Sequence, residues 1–534
     1  MNPLNLHSIS KRNIFLLGCI GLMSGSHFCD PLYGKSPEKN GKRMNILFLM
    51  SDQHRGDFVG AAGATWVKTP NLDQMAHEGV LFTRAYSSVP SCLPARTSIL
   101  TGMSPWQSGQ LGYNPIPDYP FEGPAIFNAA GYRTHAVGKN HFSPMRNKHG
   151  YQTVELEEGW YTSQKDHEKC DYTIWFEKNA PGKDINGSGL NYNDQRGGIC
   201  FPYDEYLHPT HWTADRAIDF LKSYNGDSPW LLKVSFQRPH SPYDPPERCD
   251  KAFREQQMPS PSVGAWAEAK YGADKTTVAV NNNASHGVFP ISEIIESRRS
   301  YSASLAYVDE QLGRVLEALK ARGELENTLI LYTSDHGDML GDQYMWRKCR
   351  PYEGSARIPM IIRLPENSGL KIKRGQTRNE LVELRDVFPT FMDAAGIPKP
   401  SVMDGMSMLN ILRGKKWRHQ LDLEHAQIYE KDNAWVALTD GKYKYIYFTL
   451  TGQEQMFNLN SDPGELNDLA LSAASEKLLK TWRKRMVEHL SQRGEQWVKN
   501  GKLVIQKESI QYGTNHPKFK TPAYSNQGKK LKTN

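Results

Sequence analysis

The sequence predicts an α/β fold, with a large mixed, mostly parallel sheet flanked by helices and a smaller C-terminal α+β subdomain. Two nearly continuous apolar runs, MNILFLM at 44–50 and NTLILYT at 327–333, are typical of strands buried on both faces of a parallel sheet. Helical patterns lie between these runs, and this alternation indicates helices on both faces of one sheet. Two strand-like runs joined by a hairpin turn near residue 440 indicate the separate subdomain.

The elements of the main domain follow in chain order. After the first strand, a helix is predicted to begin at Pro70 and to end before Gly79. A further strand, WLLKVSFQRPH at 230–240, places His240 just past its end. The segment 302–322 repeats apolar residues at three- and four-residue steps, as an amphipathic helix does, and stops at Gly323.

The C-terminal part of the chain has a different pattern. The segment AWVALTDGKYKYIYF at 434–448 contains two strand-like runs around Asp440-Gly441, which is a strong hairpin signal. A helical stretch at 475–494 follows. We therefore predict a main domain at 45–414, an α+β subdomain at 415–505 and a surface tail at 506–534, where periodicity is lacking.

The N-terminus resembles an export signal. Lys11 and Arg12 precede the apolar run NIFLLGCIGLM, and small residues at 24–26 offer a cleavage site. This predicts a signal peptide at 1–26, a linker at 27–44 and a periplasmic or secreted protein. Lipid attachment at Cys19 is an alternative. The run is too short for a bilayer span, which needs about 20 apolar residues, and no transmembrane segment is predicted.

Composition excludes some classes of function. The 534 residues carry a net charge of +7 without a basic stripe, which argues against a nucleic-acid binder but agrees with a pocket for an anionic substrate. The five cysteines after the predicted signal and linker are Cys92, Cys170, Cys200, Cys249 and Cys349. Because five is odd, at least one of these thiols has no partner among the other four. A Cys170–Cys200 bridge and free thiols both stay open.

Polar residues follow two of the predicted strands. Asp52 and Gln53 come after the first, and Asp335 and His336 come after the run at 327–333. The carboxyl ends of parallel strands meet at one edge of a sheet, where ligands bind. Oxygen donors of this kind suit Ca²⁺ or Mg²⁺. Helix capping by the two aspartates is the alternative interpretation.

Candidate cations and bases lie in three further segments. Lys139 and His141 stand two residues apart in a segment predicted to be extended, so that both face the same side. His240 follows its strand, and Lys348 lies in the segment YMWRKCRPYEG. From the sequence pattern alone, a solvated or packing role is the commoner one for lysines and histidines of this kind.

The run Cys92-Leu-Pro-Ala-Arg96-Thr-Ser, followed by Leu100-Thr-Gly102, resembles the signature of the formylglycine-dependent sulfatases of the alkaline phosphatase superfamily. The resemblance extends over most of the chain, through NILFLMSDQ, TPNLDQMAHEGVLFTRAYS, GYRTHAVGK-x-H, SDHGDMLGD, RKCRPYEGSARIPMI and FNLNSDPGELNDLA in the family's order. It implies an alkaline phosphatase-like fold and a sulfuric ester hydrolase, with 45–414 as the catalytic domain.

The resemblance also implies roles for the residues identified above. A sulfatase-maturing enzyme is expected to oxidise Cys92 to formylglycine (3-oxoalanine), whose hydrate has one oxygen to attack sulfur and another to expel the product. Placing this residue at a helix that begins near Thr97 would add anion stabilisation. The implied metal ligands are Asp52, Gln53, Asp335, His336 and the modified Cys92. Arg96 is expected to steady the nucleophile, Lys139 and Lys348 to neutralise sulfate, His240 to protonate the leaving alcohol and His141 to remove a proton.

Two positions depart from the commonest family pattern. Many arylsulfatases have a second aspartate where Gln53 stands and asparagine where His336 stands. The Asp335-His336 pair is similar to that of iduronate-2-sulfatase and of phosphonate monoester hydrolases. This similarity implies a glycosaminoglycan fragment, with a uronate 2-O-sulfate as the expected substrate, and leaves the preference for sulfate over phosphate open.

The substrate is expected to be a sulfated carbohydrate outside the cytoplasm, under loops at 155–213 that are rich in glycine, asparagine and aromatic residues. His208 and His211 are candidate contacts, although His211 also fits the start of a helix. The alternatives are a phosphonate or phosphate ester hydrolase, a choline-type small-molecule sulfatase, and a non-catalytic glycan-binding protein that keeps the Cys92 thiol.

Overall fold

A computed structural model of the chain describes residues 43–116, 119, 121–159, 168–274, 284–370 and 373–516. The predicted signal peptide, most of the linker and the end of the tail, at 1–42 and 517–534, lie outside the described residues. Within the described ranges, no helix has both the length and the apolar character that a membrane crossing requires.

Strands and helices alternate through the first three quarters of the chain, as the apolar runs predicted. The strands are β1 (Asn45–Asp52), β2 (Val80–Phe82), β3 (Ala85–Tyr86), β4 (Arg133–Gly138), β5 (Thr153–Leu156), β6 (Trp230–Pro239), β7 (Thr328–Ser334), β8 (Arg357–Ile358), β9 (Met360–Arg363), β10 (Gln376–Arg378), β11 (Val382–Glu383), β12 (Leu421–His425), β13 (Trp435–Thr439), β14 (Tyr443–Phe448), β15 (Glu454–Asn458), β16 (Val498–Lys499) and β17 (Lys502–Leu503).

The helices vary from single turns to one of 31 residues. They are α1 (Pro70–Glu78), α2 (Cys92–Thr101), α3 (Pro105–Ser108), α4 (Gly123–Ala129), α5 (Asp171–Asn179), α6 (Pro209–Ser223), α7 (Glu247–Phe253), α8 (Ala265–Tyr271), α9 (Ile291–Ala321), α10 (Glu353–Ala356), α11 (Val387–Ala395), α12 (Leu409–Leu412) and α13 (Glu476–Ser491).

An eight-stranded sheet forms the centre of the main domain, in the order β10-β2-β9-β7-β1-β6-β4-β5. The pairs on both sides of β1 are parallel, and β9 pairs antiparallel with its two neighbours. Successive residues of a strand point to opposite faces. Phe48 packs on the face covered by α2, α4 and α11, whereas Leu49 packs on the face covered by α1, α6 and α9. The prediction of a mostly parallel sheet between two helical layers is therefore confirmed.

The C-terminal part contains a four-stranded antiparallel sheet in the order β12-β13-β14-β15. The predicted hairpin at Asp440-Gly441 joins β13 and β14. One face of this sheet, through Trp435, packs on Tyr352 and other residues of the main domain. The other face, through Val436, packs on Trp482 of α13. Both faces are buried because helix and main domain enclose the sheet between them.

Part of the predicted surface tail is packed against the main domain. Ile510, Tyr512 and His516 are buried, and Tyr512 forms an isolated antiparallel bridge with Gln110. The backbone N–H of Gly513 also donates to the carbonyl of Gly109 at 3.1 Å. An irregular backbone pairing with the loop after α3 holds this segment, and the prediction of a surface tail is wrong for its buried residues.

Candidate active site

The polar ends of β1 and β7 lie side by side. These strands pair in parallel with Ser51 opposite Ser334, so the residues that follow, Asp52 and Asp335, leave the sheet at the same edge. The backbone N–H of Gln53 donates to Oδ1 of Asp335 at 3.1 Å. Both carboxylates are fully buried. The strand pairing thus brings the two predicted acidic positions together.

Cys92 is the first residue of α2, whereas a start near Thr97 was expected. Ser91 is extended, with φ −158° and ψ 149°, and its carbonyl accepts the N–H of Ala95 at 3.0 Å. Pro94 falls in the first turn, where a backbone N–H has no partner within the helix and proline is tolerated. The side chain of Cys92 therefore lies at the positive end of the helix dipole.

The Cys92 sulfur is surrounded by the predicted site residues. It lies 3.1 Å from Nε2 of His336, 3.1 Å from Nζ of Lys348, 3.8 Å from Oδ1 of Asp52 and 4.0 Å from Nζ of Lys139. The side chain is only 2% exposed.

Arg96 fixes the carboxylates one helical turn after Cys92. Its Nε donates to Oδ2 of Asp335 at 2.8 Å, and its Nη2 donates to Oδ2 of Asp52 at 3.3 Å. Its Nη1 donates to the carbonyl of Lys139 and to the hydroxyl of Ser235. The guanidinium thereby connects helix α2 with the ends of β1, β4 and β7 and with the middle of β6.

Four side chains offer ligand atoms that lie within 4.8 Å of one another: Asp52, Cys92, Asp335 and His336. Nδ1 of His336 lies 2.8 Å from the carbonyl of Gly337, which places the proton on Nδ1 and leaves Nε2 free to bind a metal. Nε2 of Gln53 donates to Oδ2 of Asp338 at 2.6 Å, so its amide oxygen is turned away from Asp338. The donor set therefore fits a divalent cation.

The predicted cations lie against this group. Nζ of Lys139 forms an ion pair with Oδ2 of Asp52, and Nζ of Lys348 donates to Oε1 of Gln53 at 3.0 Å. Both lysines are buried. Burial lowers the pKa of each amine, but the negative charges of Asp52 and Cys92 outweigh it and raise the pKa above its ordinary value. The site therefore holds two ammonium groups ready for an anion.

The same charges act on the acids. Burial and the neighbouring Cys92 act to raise the pKa of Asp52, but Lys139, His240 and Lys348 outweigh them, so the pKa lies well below its usual range. Burial also opposes ionisation of the Cys92 thiol, yet Lys139 and Lys348 hold its pKa well below the ordinary value. The pocket thus favours negative charge at the position of the nucleophile.

His240 follows β6 and lies at the same edge. Its Nδ1 is 2.8 Å from the carbonyl of Ser241, and its Nε2 is 2.7 Å from Nζ of Lys348. Burial, together with Lys348 and Lys139, lowers the pKa of His240 to about 3. The ring is therefore neutral in this structure, and the ammonium proton nearest to it is on Lys348.

His141 adopts a left-handed conformation with φ 57°, so the segment after β4 is not extended there as expected. Its backbone N–H and that of Asn140 donate to Oε1 of Glu158, at 2.8 and 2.7 Å. Gln53, Arg347 and Cys349 are also left-handed. Non-glycine residues of this kind are strained and cluster at functional sites.

Three contacts of the site lay outside the predicted set. Tyr192 places its hydroxyl 2.8 Å from Nζ of Lys139 and its ring 4.5 Å from that of His240. Asp338 orients Gln53, and Glu158 orients the segment that carries His141. Asp338 stands in the quoted motif SDHGD, so its position could have indicated it. No local pattern distinguishes Tyr192 from the other tyrosines of its loop.

Two candidate histidines have structural contacts instead. His208 is buried, and its Nδ1 accepts the N–H of Thr210 at 3.1 Å as the N-cap of α6. His211 lies in the first turn of that helix, 3.5 Å from the carboxylate of Asp215. Neither histidine lines the cluster around Cys92. Cys170 and Cys200 are free thiols, as are the other cysteines of the described residues.

Comparisons with known proteins agree with this site. The family model described as Sulfatase matches residues 44–397, and a model described as N-sulphoglucosamine sulphohydrolase, C-terminal, matches 341–492. The chain is 37% identical over 476 residues to an arylsulfatase of Clostridium perfringens, covering 86% of this chain and 97% of that protein. It is 32% identical to a choline-sulfatase of Rhizobium meliloti, with 80% and 82% covered.

Solved structures share the fold at lower identity. The phosphonate monoester hydrolase of Agrobacterium radiobacter superimposes with a TM-score of 0.71 at 24% identity, covering 85% of this chain and 96% of that one. A protein solved with its substrate D-glucosamine-2-N,6-O-disulfate gives a TM-score of 0.66 at 22% identity, with 84% and 98% covered. The matched domain spans most of the chain and contains the cluster around Cys92, and the chain therefore belongs to the sulfatase family, as a sulfuric ester hydrolase.

Proposed function

We propose that this sulfatase removes O-sulfate from a sulfated carbohydrate outside the cytoplasm, using a formylglycine made from Cys92 and a divalent metal ion. The observation that carries the proposal is the position of Cys92, at the start of α2 between two buried lysines and beside two buried carboxylates. A negatively charged sulfate group is stabilised by this arrangement, because the lysines and the helix N-terminus act on the same point.

Formylglycine gives the proposal its chemistry at residue 92. A hydrated aldehyde would supply one oxygen for attack on sulfur and a second oxygen whose collapse releases sulfate. A thiolate carries no oxygen that could collapse to expel sulfate, and its soft sulfur is a poor ligand for Ca²⁺. Because the side chain is 2% exposed, a sulfatase-maturing enzyme would have to act before the domain folds.

We propose that Asp52, Gln53, Asp335 and His336 hold the metal together with residue 92. Mostly oxygen donors favour Ca²⁺, with Mg²⁺ as the alternative. When bound, the ion would act as a Lewis acid that activates the nucleophile and offsets charge on sulfate. Arg96 holds both carboxylates in place from outside, as partners of metal ligands commonly do.

The remaining residues bind the sulfate and move protons. Lys139 and Lys348 would contact its non-bridging oxygens, since both ammonium groups face the Cys92 sulfur. The leaving alcohol requires a proton, and we propose that it comes from the pair of His240 and Lys348, which share a contact of 2.7 Å. His141 would remove the proton from the second hydroxyl of the hydrated formylglycine. The hydrate would then collapse to the aldehyde and release sulfate.

For the substrate, we propose a glycosaminoglycan fragment, with a uronate 2-O-sulfate as the first candidate. The Asp335-His336 pair supports it, and so do relatives named iduronate 2-sulfatase, from Mus musculus, and N-acetylglucosamine-6-O-sulfatase, from Bacteroides thetaiotaomicron, at 28% and 27% identity. A choline-type substrate is the second candidate, because the choline-sulfatase relative is 32% identical. The signal peptide that the sequence predicts at 1–26 supports export to the periplasm or beyond.

Two measurements test the proposal. The mass of the peptide that contains residue 92 should be about 18 Da below that of the cysteine form after maturation. A panel of disaccharides with single, defined sulfate positions should then show turnover of a uronate 2-O-sulfate. An intact thiol in active enzyme would refute the nucleophile, turnover of choline sulfate alone would refute the carbohydrate, and faster cleavage of phosphonate esters than of sulfate esters would favour the phosphonate alternative.

A further inference from the structure

A second cavity, of about 40 Å³, adjoins the active site. It shares Tyr192 with that site, and its lining contains none of the proposed metal ligands, lysines or histidines. Asn186 at its rim is exposed and Ser188 is half-buried, so the cavity communicates with solvent on that side. The polar groups that define its interior are Glu157, Tyr172, Gln237, Arg238 and Asp244.

Glu157 is the unusual member of this lining. Its side chain is 1% exposed, and neither carboxylate oxygen has a hydrogen-bond partner among the residues that the structure describes. Buried polar groups without partners are rare in proteins, because each costs the free energy of its lost hydration. Burial raises the pKa of Glu157 to about 7, although Arg238 acts in the opposite direction. The carboxylate thus lacks a donor within the described residues.

The charges around Glu157 favour a cation. Arg238 is already engaged, since its Nε donates to Oδ1 of Asp244 at 2.7 Å in a buried ion pair. Because those two charges compensate each other, ionisation of Glu157 would leave the cavity net negative, and a bound cation would offset that charge. The rings of Tyr172, Tyr192 and Phe201 also line it. A carboxylate together with aromatic side chains is an environment that stabilises organic ammonium groups.

We propose that this cavity binds an ammonium group, with Glu157 as its counter-ion, next to the position where the sulfate ester is cleaved. The ammonium group can come from an amino sugar with a free amine or from a quaternary ammonium compound. The proposal deepens the proposed function, on which it rests for the molecule that carries the ammonium group. It separates recognition in this enzyme into an anion site at Cys92 and a cation site at Glu157.

Isothermal titration calorimetry of the full chain tests the cation site without requiring turnover. The probes are glucosamine, N-acetylglucosamine and tetramethylammonium chloride at a pH near 7. We expect glucosamine to bind at least about tenfold more tightly than its neutral N-acetyl form. We expect Glu157→Gln to remove this preference. Glu155→Gln is the matched control, because Glu155 lies two residues earlier, is partly exposed and pairs with His135 at 3.4 Å.

The outcomes separate the two sources and the two proposals. Tighter binding of tetramethylammonium than of glucosamine, lost in Glu157→Gln, would assign the cavity to quaternary ammonium compounds. The cation site would be overturned if glucosamine and N-acetylglucosamine bound with equal affinity and tetramethylammonium did not bind. It would also be overturned if Glu157→Gln bound glucosamine and tetramethylammonium with unchanged affinity. If Glu157→Gln does not fold, Ser188→Lys should weaken binding of either cation by repulsion at the rim, and unchanged binding there would overturn it. Hydrolysis of 4-nitrophenyl sulfate is measured separately, so a failure of the proposed function is recognised independently.

Discussion

Arg96 donates from Nε to Oδ2 of Asp335 at 2.8 Å, so the helix that carries Cys92 is tied directly to the end of β7. Lysine at this position would keep the positive charge but lose the planar set of donors that also contacts Asp52 and the carbonyl of Lys139. We expect Arg96→Lys to lower metal affinity and kcat/KM by about 10- to 100-fold. Elemental analysis and aryl sulfate kinetics measure both, and near-normal values would show that charge alone is enough.

The orientation of Gln53 depends on Asp338. In Gln53→Asp, a second carboxylate would replace the amide that donates to Oδ2 of Asp338 at 2.6 Å, and the two negative charges would repel. We expect about tenfold weaker Ca²⁺ binding despite the additional negative charge. The double variant Gln53→Asp/Asp338→Asn should recover most of the affinity. Isothermal titration calorimetry measures Ca²⁺ binding by each variant. Tighter binding by Gln53→Asp alone would contradict the role of Asp338 in orienting Gln53.

Glu158 positions the segment that contains Lys139 and His141 without touching Cys92. Its Oε1 accepts two successive backbone N–H groups, which stabilise the left-handed conformation of His141. We expect Glu158→Ala to lower kcat up to about 10²-fold with a smaller change in KM, since a small displacement of a catalytic group is costly. Glu158→Gln keeps an acceptor oxygen and should retain most of kcat. A loss of equal size in both variants would exclude this positioning role.

Asp422 on β12 makes stability depend on pH. Burial acts to raise its pKa, but Arg385, His489 and Arg493 lower it below the ordinary value of 3.8. A carboxyl whose pKa is lower in the folded protein than in the unfolded chain stabilises the fold at pH values above the unfolded-state pKa. This contribution to the free energy of unfolding is lost as the pH falls through the folded-state pKa. Asp422→Asn should therefore cost about 3 kcal/mol at pH 7, because it leaves the guanidinium of Arg385 partly unpaired.

Urea unfolding at several pH values measures the effect of Asp422→Asn. The difference from the native chain should shrink as the pH is lowered below about 4. Asp432→Asn is the control, since Asp432 forms a more exposed pair with Lys270 at 2.9 Å and should cost less than about 1 kcal/mol. A difference for Asp422→Asn that stays constant down to pH 2 would exclude an ionised carboxylate as its cause.

Cys92→Ala should abolish turnover while leaving the fold nearly intact. The side chain contacts the polar groups of the site rather than the apolar clusters, so its removal costs little packing free energy. Cys170→Ala is the matched control, because Cys170 is a buried free thiol in an apolar cluster and should retain full activity. Aryl sulfate turnover and thermal denaturation measure both variants. Residual activity of Cys92→Ala near that of the native chain would reject residue 92 as nucleophile.

The fold and most of the site could be predicted from the sequence where one physical pattern dominates. β1 and β7 are buried on both faces, so each strand could be recognised in the sequence as an apolar run that ends in polar residues. Their parallel pairing brings Asp52 and Asp335 together. Tyr192 could not be predicted in the same way, because it reaches Lys139 from an irregular loop. Helix α2 begins at Cys92 rather than near Thr97, because Pro94 lies in the first turn, where a backbone N–H has no partner within the helix and proline is tolerated. The packing of 506–516 depends on pairing with residues 400 positions earlier, such as Gln110 with Tyr512, which no local pattern reports.

The central place of β1 in the sheet has a consequence for biosynthesis. Its two neighbours are β6 and β7, which are encoded far later in the chain, so the edge that carries Asp52 is incomplete until Ser334 has been made. From Cys92 to that point is about 240 residues, which a ribosome adds over tens of seconds at roughly 5–20 residues per second. During this interval the thiol cannot yet be enclosed. Strand order itself therefore opens a time window in which a modifying enzyme can reach a residue that is sealed in the finished protein.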